Sequence, residues 1–372
     1  MEAHARELIA DGHEVHVISA ANGFENGIPG TSEWPSIARL HVTRIPIPVL
    51  DGGRRLFFAD GAPEALEKPS VEILLQCLGF WAGTCEHLRA HLDDFDAIHA
   101  HWLTPSALIA CAVAPARIPI FAHAHSGDIA LMERLPLGRS LACWLSSRVA
   151  EIRFVSANLE KRFRALVGGP IGARCRVEPA LRIIAPSAPQ KTHEPNEAIA
   201  PRKNDDRSGV VVLAVGRLVP IKGFDVLLKA VSAAVSTARA RQLSPHRVVS
   251  VVILGDGPER HHLIDLAARL GIRLTLPGFV PPSDVATWMR RSDVYVQPSR
   301  VLPNGRTEGL PVAASEALNA GLPVLVSDSG GLPELARLSE RVRTFPAGND
   351  HALAKLLEGY VSDEARMFVS NA

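Results

Sequence analysis

Residues 306–321 read RTEGLPVAASEALNAG, and this pattern predicts a loop, a short helix and a stop. Pro311 suits the first helical turn, where a missing N–H costs nothing, and Gly321 suits the position just past the helix end. Amides at such a helix start favour an anion, because they point outward without intrahelical partners. Three amides should point out of this helix start, and they belong to Gly309, Leu310 and Val312.

Two carboxylates belong to the same stretch, Glu308 before the predicted helix and Glu316 within it. A carboxylate beside a phosphate is poorly placed to hold it, because like charges repel. Carboxylates also accept hydrogen bonds from hydroxyl groups. The stretch therefore predicts the recognition of a sugar or ribose next to phosphates.

Length and composition limit the classes of protein to consider. The 372 residues exceed one compact core and predict two domains. Apolar residues are 47% and charged residues 21%, as is typical of globular proteins, and 40 basic against 39 acidic side chains give no sign of a nucleic acid partner. Five cysteines without a C-x-x-C pair predict reduced thiols, and the missing long apolar run predicts a cytoplasmic chain without a membrane span.

The order of predicted elements indicates an α/β fold with mostly parallel sheets. Helices and strands alternate over residues 1–185, a Pro-rich polar linker follows at 186–209, and a second alternating set occupies 210–372. The chain opens on a helix, Glu2 to Ala10, that leads into a strand. We therefore expect the first strand of the N-terminal domain to be missing from the chain.

A basic pair follows the first strand of the second domain. In Gly216-Arg217-Leu218-Val219-Pro220-Ile221-Lys222-Gly223, the two cations lie between an apolar strand and a helix, at the sheet edge where open α/β folds bind ligands. Arg217 as a planar fork and Lys222 as a point charge suit a diphosphate. The alternative is an ordinary solvated basic loop.

The next strand ends in Gly255-Asp256-Gly257, but Arg260 occupies the third glycine's position of a dinucleotide fingerprint, which disfavours a nicotinamide dehydrogenase.

A histidine group ends two predicted strands of the first domain. His99 and His101 end one strand, and His123 and His125 end the next, so a period of two places each pair on one sheet face. Adjacent strands would bring all four together. Three interpretations stay open: a metal site, a structural role, and an acid, base or hydrogen-bonding role for His125. Asp128 is the one nearby carboxylate that could complete a ligand set.

An arginine-containing apolar segment, 135–149, allows two interpretations. Its pattern suits a helix on a membrane surface, or a helix packed against the sheet, which is the more frequent outcome.

Several motifs together resemble the retaining glycosyltransferases of family 4, which have the GT-B fold of two doubly wound Rossmann-like domains facing a central cleft. The resemblance covers nearly the whole chain outside the linker. The second-domain motifs are the more specific ones, and they are Gly216-Arg217-Leu218, Lys222-Gly223, Gly255-Asp256-Gly257-Pro258, Pro298-Ser299, Glu308-Gly309-Leu310-Pro311 with Glu316, and Gly330-Gly331-Leu332-Pro333-Glu334. The first-domain motifs are His99-Ala100-His101-Trp102 and His125-Ser126-Gly127-Asp128.

The resemblance implies a role for each matching residue. Arg217 and Lys222 would hold the diphosphate of a nucleotide-sugar donor and stabilise the leaving nucleotide, with no metal. Glu308 would contact the sugar and Glu316 the ribose, while His125 would bond a sugar hydroxyl. The remaining donor-side residues are Gly216, Gly255, Gly257, Phe279, Val280, Gly309, Leu310, Pro311 and Val312. His101 and Asp128 would lie on the acceptor or sugar side.

The implied activity is a retaining, metal-independent transfer of a sugar from a nucleoside diphosphate to a hydroxyl in polysaccharide or cell-envelope biosynthesis. The implied partners are a nucleotide sugar and a saccharide or polyprenyl-linked acceptor, with no cofactor and with a peripheral contact at the cytoplasmic face of the membrane. The chain departs from the family at its start and at Val177-Glu178-Pro179-Ala180. The alternatives are therefore an inactive, truncated nucleotide-sugar binder and a histidine-ligated metal hydrolase.

Overall fold

The computed structural model describes residues 2–20, 38–47, 70–178, 209–243 and 248–361. The chain divides into two units, one of Met1–Phe154 with Leu159–Val177 and the other of Val155–Asn158 with Glu178–Ala372. The predicted linker lies outside the described residues except for Gly209, which begins a strand. The domain boundaries at 185 and 210 therefore stay a prediction.

The first unit alternates helices and strands, as the sequence predicts. Its helices are α1 (Glu2–Ala10), α2 (Val71–Ala90), α3 (Leu108–Val113), α4 (Ser126–Arg134), α5 (Gly138–Arg148) and α6 (Ala157–Val167, whose first two residues count with the other unit). Its strands are β1 (Val15–Ala20), β2 (Leu40–Ile45), β3 (Ile98–His101), β4 (Ile120–Ala124), β5 (Glu151–Phe154) and β6 (Arg174–Val177). A turn of π-helix at Leu103–Ala107 comes directly before α3.

The described strands of this unit pair in parallel throughout. β1 pairs with β2, and β3, β4, β5 and β6 form a second sheet in that order. In the β3–β4 register His101 lies opposite His123, so the ends of these strands bring their histidines together, as predicted.

Two elements of this unit are absent from the sequence prediction, helix α4 and strand β6. No helix was predicted after His125, but Asp128 allows one there because its carboxylate accepts the backbone N–H of His125, three residues earlier. Residues 174–177 have polar side chains at alternate positions, which explains why an exposed edge strand was not recognised.

The second unit begins with strand β7 and also alternates. Its strands are β7 (Gly209–Val215), β8 (Val248–Leu254), β9 (Arg273–Gly278), β10 (Val294–Gln297), β11 (Val324–Ser327) and β12 (Val342–Phe345). Its helices are α7 (Phe224–Ala240), α8 (Arg260–Leu270), α9 (Pro282–Arg290), α10 (Val312–Asn319), α11 (Pro333–Ala336) and α12 (Asp350–Val361). The sequence had not predicted α11 and β12, which are only four residues long each.

The six strands form one parallel sheet in the order β12-β11-β10-β7-β8-β9. The strand order reverses between β7 and β10, because β8 and β9 lie on one side of β7 and β10 to β12 on the other. In open α/β sheets ligands bind at this switch point, outside the carboxyl ends of the strands. The loops after β7 and β10 are therefore the expected site of this unit.

Apolar clusters cover both faces of this sheet, which is why β7 is apolar at almost every position. Val210, Val212 and Ala214 face one cluster together with Phe224 of α7, whereas Leu213 faces the other with Tyr295 of β10. This burial fixes the position of the strand ends. Within the described ranges, none of the helices has the length and apolar character needed to cross a bilayer.

Candidate functional site

A lysine–glutamate pair lies at the switch point of the second unit. Lys222 ends a short 3-10 turn after β7, and Glu308 lies in the loop between β10 and α10. The Lys222 Nζ is 2.5 Å from Glu308 Oε1, and the two side chains are only 13% and 15% exposed. Because water is largely excluded, this pair has a stronger interaction than a surface salt bridge would have.

The second oxygen of Glu308 is also occupied. Ser299 Oγ donates to Glu308 Oε2 at 2.5 Å, and Gln297 Nε2 lies 3.4 Å from the same oxygen and 2.9 Å from Ser299 Oγ. Tyr295 completes the row, since its hydroxyl donates to Gln297 Oε1 at 2.7 Å. We call Tyr295, Gln297 and Ser299 the β10 polar row.

A strand was predicted at VYVQ, residues 294–297, but Tyr295 and Gln297 were not among the predicted site residues. Both side chains are fully buried, and burial raises the pKa of Tyr295 well above its usual range, with a further contribution from Glu308 and Glu316. Tyr295 therefore stays a neutral donor. A glutamine at the end of an otherwise apolar strand was the available signal, since buried amides need partners.

The loop that holds Lys222 packs closely against the Gly255-Asp256-Gly257 turn. Leu218 N donates to Asp256 O at 2.9 Å, and Gly216 N donates to Leu254 O at 2.9 Å. A Cβ on Gly255, whose φ is +138°, would lie 2.1 Å from Gly216 O. The structure thus places Gly255 and Gly257 behind the Gly216 loop, where they support it.

The start of α10 follows the loop that holds Glu308. Pro311 is the N-cap residue, with ψ of 123°, so the helix begins at Val312, one residue later than the sequence predicted. The amides of Gly309, Leu310 and Val312 donate to no backbone oxygen within the described part of the chain. Amides without a backbone partner at a helix start can donate to an anion, and the predicted anion site stays a prediction.

A diglycine segment supports the same loop from behind. Gly331 N donates to Gly309 O at 2.9 Å, and a Cβ on Gly330, whose φ is +61°, would lie 1.8 Å from Glu308 O. Any side chain at Gly330 would therefore displace Glu308.

The other residues predicted for the donor side belong to neighbouring elements of the same unit. Arg217 is exposed, Phe279 is 53% exposed, and Val280 packs against the apolar cluster of β10. Glu316 is half-buried on α10, and burial raises the pKa of its carboxyl group. Their predicted contacts with a donor stay predictions.

In the first unit, the predicted residues lie at the ends of β3 and β4. Burial lowers the pKa of His125 to about 4, so its imidazole is neutral at pH 7. Its Nε2 is buried and has no hydrogen-bond partner among the described residues. A buried polar atom without a partner costs free energy, which favours a ligand group as its partner.

Asp128 is fully buried, and its carboxylate accepts three backbone amides. Leu103 N and His125 N donate to Oδ2 at 2.8 and 3.0 Å, and Ile129 N donates to Oδ1 at 2.9 Å. Burial nevertheless raises the pKa of Asp128 to about 7. The structure thus gives this carboxylate a structural partner set, and its predicted saccharide contact stays a prediction.

The histidine group gains a member that the sequence prediction did not include, His4 on α1. His4 Nδ1 lies 3.1 Å from His101 Nε2, and His99 Nδ1 lies 3.2 Å from His123 Nε2. The His101 and His123 rings stack with centroids 4.4 Å apart. No sequence pattern could have indicated His4, because the sequence does not show which side chains of α1 lie next to β3.

Comparison with known proteins assigns both halves of the chain. A family model described as Glycosyl transferases group 1 matches residues 196–372, and one described as Glycosyl transferase 4-like domain matches residues 1–179. Between them only residues 180–195 are unmatched.

Curated relatives agree with these matches. An Escherichia coli K12 protein, provisionally named the colanic acid biosynthesis glycosyltransferase WcaL, is 31% identical over 152 residues. That match covers 40% of this chain and 35% of the relative, so it spans about a third of the relative's length. The D-inositol 3-phosphate glycosyltransferase of Corynebacterium glutamicum strain R is 25% identical over 380 residues, covering 95% of this chain and 84% of the relative.

The fold also matches solved structures. Sucrose-phosphate synthase from Thermosynechococcus elongatus superimposes with a TM-score of 0.67 at 18% identity, covering 97% of this chain and 83% of that one. At this identity the match shows the fold alone. With both family models, the chain therefore belongs to the family 4 glycosyltransferases, which have the GT-B fold.

Proposed function

We propose that this chain is a retaining, metal-independent glycosyltransferase that moves a sugar from a nucleoside diphosphate sugar to a hydroxyl of a saccharide or lipid-linked acceptor. The observation that supports this most is the Lys222–Glu308 pair at the switch point, next to the outward amides of Gly309, Leu310 and Val312. It provides a cation, a carboxylate and anion-binding donors in one place.

Each of these groups has a task in the proposed reaction. The amides and Lys222, with Arg217 nearby in sequence, would bind the diphosphate and stabilise the negative charge that grows as it leaves. These cations would do what a metal ion does in other phosphate-binding sites, and this is why we propose transfer without a metal. Glu308, fixed by Ser299 and Gln297, would accept hydrogen bonds from the donor sugar.

In the proposed step one bond breaks, one bond forms and one proton is transferred. The bond between the anomeric carbon and the diphosphate oxygen breaks, and the acceptor oxygen forms its bond on the same face of the sugar. The acceptor hydroxyl gives its proton to the leaving phosphate oxygen, so no further base is required. Glu316 would bond the ribose hydroxyls, and the nucleobase would lie against Phe279 and Val280.

His125 has a separate place in the proposal. Its buried Nε2, which lacks a partner among the described residues, would hydrogen-bond a hydroxyl of a substrate. Because burial keeps the imidazole neutral, it would bind and orient the hydroxyl and leave proton transfer to the phosphate.

The names of two relatives support a class of acceptor. One is named for the biosynthesis of a polysaccharide and another for transfer to an inositol phosphate. We therefore propose that the acceptor is a hydroxyl of a glycoconjugate in polysaccharide or cell-envelope biosynthesis.

We also propose a peripheral contact with a membrane surface through α5 and the residues before it. Leu137 is 68% and Trp144 40% exposed, in a segment that also contains Arg134, Arg139 and Arg148. Apolar and basic groups together suit an anionic bilayer. Flotation with anionic vesicles tests this, and a Leu137→Glu/Trp144→Glu variant that floats as well as the parent would exclude this surface.

The direct test of the activity is a panel of nucleotide sugars with and without EDTA. We expect one donor to release its nucleoside diphosphate at the same rate with the chelator present, and the product to keep the anomeric configuration of the donor by NMR. Binding in calorimetry without turnover would instead favour a non-catalytic nucleotide-sugar binder. If no donor bound and none was turned over, the proposal would be refuted.

A further inference from the structure

Four imidazoles meet at one place in the first unit. They come from three elements, His4 from α1, His99 and His101 from β3, and His123 from β4. The ring centroid of His4 is 4.7, 5.3 and 4.8 Å from those of the other three. The lysine–glutamate site belongs to the other unit, and none of the steps proposed above uses these four rings as a group.

The nitrogen positions fit one ion. Candidate ligand atoms of His4, His101 and His123 all lie within 4.8 Å of one another. Two imidazoles on a tetrahedral zinc ion have nitrogens about 3.3 Å apart, given Zn–N bonds of about 2.0–2.1 Å. The His4 Nδ1–His101 Nε2 distance of 3.1 Å is already close to this value. The His123 ligand atom lies within 4.8 Å of those of His4 and His101.

The chemistry of these rings also suits a metal. Each imidazole offers a ring nitrogen as a ligand. Imidazole ligands favour zinc, copper and nickel over magnesium and calcium.

Asp128, the carboxylate that follows His125 in the sequence, does not add an oxygen ligand to this set of nitrogens. Asp128 is occupied by three backbone amides. Among the residues that the structure describes, the side chains placed to share one ion here are histidines alone. A set of three neutral nitrogens leaves a fourth position for water or for His99.

We propose that His4, His101 and His123 bind one divalent transition-metal ion of the zinc class. The site would be separate from the diphosphate chemistry, and the proposal assigns the ion no step in sugar transfer. The competing explanation is that the rings hydrogen-bond one another as two neutral pairs, His4 with His101 and His99 with His123.

The test is calorimetric titration of the chelator-treated full chain with Zn²⁺ and, in parallel, with Co²⁺, whose visible spectrum reports tetrahedral nitrogen ligation. We expect one equivalent of either ion to bind and Mg²⁺ not to bind. Absence of Zn²⁺ binding to the folded parent protein would overturn the proposal in favour of the paired imidazoles.

The variants identify the ligands. His4→Gln, on the outer helix, and His101→Gln should each weaken Co²⁺ binding by more than about 100-fold, since loss of even an outer-shell partner costs about 10–100-fold. His91→Gln is the matched control, because His91 belongs to a different imidazole group with His16 and His87. Circular dichroism confirms that each variant is folded. Loss of the cobalt spectrum in His91→Gln, with retention in a folded His4→Gln, would overturn the assignment.

Discussion

The Lys222–Glu308 pair and the histidine group lie at equivalent places in two parallel sheets, yet they hold opposite kinds of polar group. The Glu308 carboxylate has a cation on one oxygen and two neutral donors near the other. The histidine group contains neutral rings, and His125 keeps a buried atom without a described partner. The first arrangement holds charge in a fixed position, whereas the second offers neutral lone pairs to a ligand.

This difference has a physical origin in what surrounds each group. Lys222 and Glu308 are paired, and a paired charge tolerates partial burial. The histidine rings contact one another, and burial lowers their pKa values, although Glu151 opposes this at His99. Charge stabilisation is therefore expected from the second unit, and hydrogen bonding or metal ligation from the first.

The largest expected effect comes from removing the cation. Lys222→Ala should lower kcat/KM for donor turnover by about 10²–10³-fold, because one preorganised group that stabilises charge in the transition state is lost. The measurement is nucleoside diphosphate release under steady-state conditions. The Lys222→Ala substitution also removes the ionic partner of Glu308, so Lys222→Arg serves as a second variant that keeps the charge.

Lys229 provides the matched control for this change. It also pairs with a carboxylate, Asp225, at 3.2 Å, but its side chain is 46% exposed on α7. Lys229→Ala should leave turnover unchanged. Equal rates for Lys222→Ala and the parent would mean that the pair has a structural role only.

Removing a hydroxyl group from the β10 polar row should have a smaller effect on the rate. Ser299→Ala removes the hydroxyl that donates to Glu308 Oε2, and a hydrogen bond to a charged group is worth about 1.5–3 kcal/mol. We expect kcat to fall about 10–100-fold with little change in KM, because Glu308 stays present but is less well oriented. Ser299→Thr should restore most of the rate.

The control for this prediction is another buried serine. Ser146 Oγ donates to Cys143 O at 2.8 Å within α5, so Ser146→Ala costs a hydrogen bond without touching Glu308. If both variants lost equal stability and equal activity, Ser299 would have no positioning role.

The sequence could predict Lys222 and Glu308 as separate candidates, but not their contact. They are 86 residues apart, and they meet because β10 lies next to β7 in the sheet order. β7 and β10 themselves could be predicted from their continuous apolar runs, because a strand buried on both faces is apolar at nearly every position. Tyr295, Gln297 and His4 were missed because their roles depend on which side chains lie opposite, and this is a tertiary property.

The smallest effect tests the histidine group through stability. Four of its rings, including His125, have a pKa below the unfolded value near 6.5, so between about pH 6.5 and 4 the unfolded chain binds more protons than the folded one. The free energy of unfolding should therefore fall as the pH falls through this window. Each ring contributes on the order of 1 kcal/mol per pH unit at most. The measurement is urea unfolding at several pH values.

Other groups also titrate differently in the folded chain, so the comparison must be made between variants. Asp128, with its pKa raised to about 7, opposes the histidines, because the folded chain keeps a proton that the unfolded chain has released. His16 and His87, with lowered pKa values, act in the same direction as the group. His123→Gln should therefore reduce the pH slope relative to the parent chain. A slope unchanged in a folded His123→Gln would mean that folding does not lower the pKa of this ring, and the contrast with the charged pair of the second unit would then be lost.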